Sequence, residues 1–115
     1  MIQSMTMFFF TADAPRAKAF YERVLGLSFA NFGPHWSQAP AGKASFALHG
    51  AEAGDTRTAD LARLHFGFNV DDVRAAVARA REAGGEIVRD VYDEAFGKVA
   101  LVKDPEGRVI SLVQH

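Results

Sequence analysis

The chain has 115 residues, of which 49% are hydrophobic and 23% charged, proportions that fit one folded domain and lie far from those of a disordered segment. Thirteen basic against fourteen acidic residues leave a formal charge of -1, too little to hold nucleic acid or an anionic membrane surface. The lack of cysteine removes disulfides, zinc-thiolate sites and thiol nucleophiles, and predicts a reducing, cytoplasmic setting.

The first ten residues are apolar but carry no basic region and no small-residue cleavage site, so they read as a strand rather than a signal peptide. No apolar run approaches the roughly 20 residues that cross a bilayer. Residues 5–11 form the first strand. Asp13 is placed to cap the helix that follows, Pro15 fits its first turn, and Ala17, Tyr21, Val24 and Leu25 form its buried stripe. Gly26 supplies the left-handed stop. Strands are then predicted over 27–32, 36–39 and 43–49.

The same order returns in the second half. A strand over 65–70 leads to a cap at Asp71 or Asp72, and Val73, Ala76, Val77 and Ala80 make a second helical stripe ended by Gly84 and Gly85. Strands over 86–92, 98–103 and 108–113 complete it. Each half is therefore strand, helix and three strands, with the first unit about 5–49, a small and polar connection about 50–63, and the second unit about 64–114. A four-stranded sheet with one helix leaves its other face uncovered, so two such units are expected to pair. The predicted fold is α+β, with two tandem units whose curved mixed sheets surround a cleft and whose helices lie outside.

The segment Ala19-Phe20-Tyr21-Glu22-Arg23-Val24-Leu25-Gly26-Leu27 resembles the first-helix signature of the vicinal-oxygen-chelate superfamily, which groups glyoxalases, bleomycin-resistance proteins and dioxygenases. His65-Phe66-Gly67-Phe68-Asn69-Val70-Asp71-Asp72 and the turn Asp104-Pro105-Glu106-Gly107-Arg108 are similar to segments at the same places in that family. By itself the turn is only a good type I sequence between strands. Together the three matches span nearly the whole chain and imply the same paired-unit fold.

In metal-dependent members the resemblance implies a divalent ion held by side chains of the first, fourth, fifth and last strands. His65 stands at the fifth-strand position, with Gly67 and Asn69 on the same face. The other positions depart from the pattern. Thr6 stands where a first-strand histidine is expected, or Met7 if the register slips by one. Ala47 replaces the fourth-strand glutamate, with His49 two residues further along the same face, and Ser111 replaces the last-strand carboxylate. Two histidines without a carboxylate fall short of the three protein ligands usual at a catalytic metal. No cofactor is therefore expected, and His65 reads as a neutral cleft histidine bonded to Asn69, Ser111 or water.

Members without the ligands use the cleft to bind small molecules. Here Thr6, Phe8 and Phe10 from one strand and Val109, Ser111 and Val113 from another give apolar walls with few polar anchors. Aromatics in or beside loops near the sheet edges, at His35-Trp36 and at Tyr92 with Phe96, are placed to cap a ligand. The leading expectation is a metal-independent protein that binds or sequesters an apolar or aromatic compound. One alternative is a lyase, isomerase or dioxygenase using a relocated ion at His65 and His49, completed by Asp93 or Glu94. Another is acid-base catalysis by His65 with Tyr92 or Glu94. The family resemblance further implies a homodimer.

Overall fold

The structure, a computed structural model, describes residues 6–50 and 66–115. The expected connection and His65 lie outside the described residues. In the first half, strand β1 (Thr6–Thr11) leads to helix α1 (Ala14–Leu25) and then to β2 (Ala30–Asn31), β3 (Trp36–Ala41) and β4 (Ala44–Gly50). In the second half, β5 (Phe66–Asn69) leads to α2 (Val73–Glu82), β6 (Ile87–Glu94), β7 (Gly97–Lys103) and β8 (Val109–Gln114). The strands form two four-stranded sheets of matching order, β1-β4-β3-β2 and β5-β8-β7-β6. In each sheet the first strand runs parallel to the last, and the remaining pairs are antiparallel.

Local chemistry sets the helix ends. Asp13 accepts a hydrogen bond from the Arg16 amide at 3.1 Å, and Asp72, rather than Asp71, does the same for Ala75. Gly26 ends α1 at φ 69°, a conformation that costs an L side chain energy and glycine none.

Burial divides the strands by alternation. Met7, Phe9 and Thr11 of β1 turn towards the helices, as do Phe46 and Leu48 of β4, Phe66 and Phe68 of β5, Ala100 and Val102 of β7, and Ile110 and Leu112 of β8. They meet Ala17, Phe20, Tyr21 and Val24 of α1 and Val73, Ala76, Val77 and Ala80 of α2 in one core shared by both halves. The Phe9 and Phe66 rings touch edge to face at 4.4 Å, and those of Phe46 and Phe68 lie 5.6 Å apart. Fully burying such a side chain stabilises by about 1.5–3 kcal/mol, so this cluster supplies much of what opposes chain entropy.

One expectation needs correction. The strand predicted over 27–32 shrinks to Ala30–Asn31, and the Phe32 amide is spent on the Trp36 carbonyl in closing a tight turn through Gly33. Trp36 opens β3, as the strand predicted over 36–39 has it, opposite His49. Tyr92 lies in β6 opposite Val99, and that strand continues past its predicted end to Glu94, with two register shifts along it.

A polar lock joins the halves. Asp104, buried at the end of β7, accepts hydrogen bonds from the Tyr21 hydroxyl at 2.8 Å and from the Glu106 and Arg108 amides at 2.9 Å, and it pairs with the Arg108 guanidinium. Arg108 also donates to the Phe10 carbonyl at 2.8 Å and stacks on the Phe9 ring. Glu106 accepts from Thr11 Oγ1 and from the Ala12 amide at 2.8 Å, ahead of α1. Within the second half, Gln114 Oε1 of β8 accepts from the Val73 amide at the start of α2 at 2.9 Å.

Asp104→Ala strands a buried guanidinium and is expected to cost about 3–5 kcal/mol, against about 1 kcal/mol for Tyr21→Phe. Urea unfolding of the two variants checks this, and equal midpoints would contradict the lock. Burial, reinforced by the Asp104 charge, pushes the Tyr21 hydroxyl well above its ordinary range. The unfolded chain releases that proton first, so the contribution is complete below about pH 10 and is lost as pH rises further. Stability is expected to fall above about pH 10 in the native protein and less steeply in Tyr21→Phe.

Candidate functional site

The side chains that alternate away from the core lie on an open face of each sheet. On the first sheet, Thr6 stands opposite Ser45, Phe8 opposite Ala47 and Phe10 opposite His49, while Trp36 and Gln38 of β3 extend the last two rows. Phe8, Phe10, Trp36 and His49 form one aromatic group. Phe8 lies 5.6 Å from Phe10 and 5.2 Å from Trp36, and His49 lies 4.9 Å from Phe10 and 5.9 Å from Trp36. Phe8 remains 44% exposed, whereas its neighbour Phe9 is 4% exposed. Phe32 and Phe96 are more exposed as single rings, at 63% and 57%, but Phe8 belongs to a contiguous group of touching rings, and a contiguous apolar patch marks a binding surface where a lone exposed ring does not.

Polar contacts fix the group. The Trp36 indole N–H donates to Gln38 Oε1 at 2.9 Å, which sets the ring plane. His49 Nδ1 lies 2.8 Å from the Gly50 carbonyl and donates to it, which leaves Nε2 as the ring nitrogen free to meet a ligand. Gln38 was missed in reading the sequence, although alternation from Trp36 puts it on the same face.

On the second sheet, Gly67, Ser111, Leu101 and Arg89 form one row and Asn69, Val113, Val99 and Tyr92 the next. Asn69 Oδ1 lies 3.1 Å from His115 Nε2, a partner not anticipated for it. Arg89 was also missed, because the register shifts on either side of it hide the strand period. Its guanidinium lies 3.5 Å above the Tyr92 ring. A cavity of about 830 Å³ lies between the two sheets away from the aromatic group, lined by Thr6 and Ser45 on one side and Gly67 and Asn69 on the other, with Leu27 and Phe66 among its apolar walls.

A smaller cavity of about 420 Å³ lies on the helix side, between α1 and the turn after α2. Two of its cations are already compensated, Arg23 by Glu82 at 3.5 Å and Lys103 by Glu86 at 3.4 Å. The open faces offer the better site.

The residues expected at metal positions are placed as follows. Thr6 faces the open side and Met7 turns to the core, so no slip brings a donor there. Ala47 is fully buried beneath the aromatic group and Ser111 sits in the Gly67 row. Asp93 cannot complete a shell with His49. It pairs in register with Lys98 on the opposite side from Tyr92, and a hydrogen bond from Lys98 Nζ at 2.8 Å holds its carboxyl below the ordinary range. Glu94 is exposed at the β6–β7 hairpin, opposite Gly97. Among the described residues no three histidine, cysteine or acidic side chains come together as a metal-holding group. Nor does any helix among the described residues have the length and apolarity to cross a membrane.

Comparison with known proteins places the architecture. CFP32 of Mycobacterium tuberculosis, which carries a provisional glyoxylase name, is 30% identical over 107 residues, covering 85% of this chain and 38% of that protein. The anthracycline biosynthesis protein DauV of Streptomyces sp. strain C5 is 32% identical over 109 residues, covering 90% of this chain. This chain thus spans 38% of the length of either relative. Among solved structures, the protein SA1046 of S. aureus superposes over 100% of this chain and 95% of its own, with a TM-score of 0.81 at 20% identity. Residues 3–112 match the Glyoxalase/Bleomycin resistance protein/Dioxygenase superfamily, and the chain belongs to that family.

Proposed function

We propose that the chain binds or sequesters a small, flat, apolar or aromatic molecule on its open faces, without a metal ion, in the cytoplasm. The observation that carries this reading is the aromatic group of Phe8, Phe10, Trp36 and His49, held in place yet left open at Phe8. Rings packed edge to face or tilted against one another present an apolar surface at little further entropic cost, because Gln38 and the neighbouring strands already restrain them. His49 Nε2 and Ser111 are polar anchors on otherwise apolar walls, the composition usual for small-molecule sites.

The replaced positions support the metal-independent part. Thr6 and Ser111 offer hydroxyls, and Ala47 offers a methyl group beneath the rings. A divalent ion needs imidazole, carboxylate or thiolate there to hold it against water.

Trp36 is the only tryptophan of the chain and reports directly on its own surroundings. In chelator-treated protein, 2-naphthamide is expected to quench Trp36 emission saturably, and Phe8→Ala is expected to weaken that binding about three- to tenfold, the worth of one stacking contact. The reading fails if no saturable binding occurs without metal while near-stoichiometric zinc, manganese, iron or nickel is retained and is lost in His49→Ala.

A further inference from the structure

The second sheet carries a cation that the reading above leaves unused. Of the lysine and arginine side chains on β6, β7 and β8, Lys98 pairs with Asp93 at 2.8 Å and Lys103 with Glu86 at 3.4 Å. Arg89 has no carboxylate partner among the described residues. It stands on the open face opposite Leu101, in the row that continues through Ser111 to Gly67. Its guanidinium carbon lies 3.5 Å from the centre of the Tyr92 ring, on an exposed side chain.

That geometry has a chemical consequence. Stacking on an aromatic face holds the guanidinium in one plane and leaves its N–H donors pointing outward from the edge, the disposition that grips a carboxylate through two parallel hydrogen bonds. The surroundings are apolar, since Leu101, Val99 and Val113 occupy neighbouring positions of the same face. A cation beside an apolar wall is screened less than one in open water, so an anion docked there gains more. The acidic side chain on the same strand face, Glu94, lies beyond Tyr92 at the hairpin end.

We propose that the open face of the second sheet binds an aromatic carboxylate. Its carboxylate pairs with Arg89, and its ring rests on Leu101 and Val113, which stay partly exposed over the buried Val99. This rests on the small-molecule reading given above and adds the charge that the ligand carries. Neutral flat molecules bind by the apolar surface alone. Tyr92 acts as a positioning residue, holding the guanidinium plane.

Calorimetry on the full chelator-treated chain with 2-naphthoate and its neutral counterpart 2-naphthamide tests the proposal. The native protein is expected to favour naphthoate about tenfold, and Arg89→Gln to bring naphthoate down to the naphthamide affinity. Tyr92→Leu is expected to reduce the preference and Tyr92→Phe to preserve it. Equal affinities for the two probes in the native protein, or a preference that survives Arg89→Gln, would overturn the assignment while leaving the small-molecule reading intact. Failure of both probes to bind the native protein would overturn both. Arg89 is exposed, so unchanged thermal unfolding of Arg89→Gln separates a lost contact from a lost fold.

Discussion

The open face of β1 depends on a buried ion pair on the core side of the same strand. Asp104 and Arg108 are both 4% exposed, and removing two charges from water that far costs more than their mutual attraction returns unless other groups complete their hydrogen bonding. Here the completion comes from the other half of the chain. Tyr21 of α1 donates to Asp104, the Phe10 carbonyl of β1 accepts from Arg108, and Glu106 receives the chain ahead of α1. The turn between β7 and β8 therefore satisfies its own charges only when the first half is docked. Because Phe10 is held by its carbonyl, the lock also fixes the strand that carries Phe8 and Phe10 on its open side.

The division of aromatic residues follows from that constraint. Phe9, Phe46, Phe66 and Phe68 fill the space between sheets and helices, and their ring contacts cross between the two halves. Phe8, Phe10 and Trp36 alternate to the other side, where no helix covers them. A one-residue slip of β1 would exchange the two sets, burying Phe8 and Phe10 and exposing Phe9. The register held by Arg108 at Phe10 is thus also the register that creates a binding surface.

Much of this was legible in the residues. The cap at Asp13, the stop at Gly26 and the apolar stripes of both helices act within one turn of chain, so local chemistry decides them. Alternation along β1 and β4 put Thr6, Phe8, Phe10, Ala47 and His49 on one face, and the structure has them there. What stayed hidden depends on distant pairing. The turn 104–108 read as an ordinary tight turn, because nothing local reveals that Asp104 meets Tyr21 across 83 residues. Arg89 was obscured by the register shifts of β6, which break the period of two on which strand reading relies. Asp93 was drawn towards the site by its place in sequence, and its pairing with Lys98 turns it away. His65 lies outside the described residues.

Family membership sets the architecture, and the side chains on the open faces must set the chemistry. The most direct measurement is amide and indole chemical-shift mapping by NMR on isotope-labelled, chelator-treated protein, as 2-naphthamide is added. A metal-free aromatic site requires the largest shifts at the Trp36 indole N–H and the amides of Phe8, Phe10 and His49, with the helix side around Arg16 and Gly85 unchanged. Shifts confined to the helix side, or shifts on the open face that arise only once a divalent ion is supplied, would contradict it.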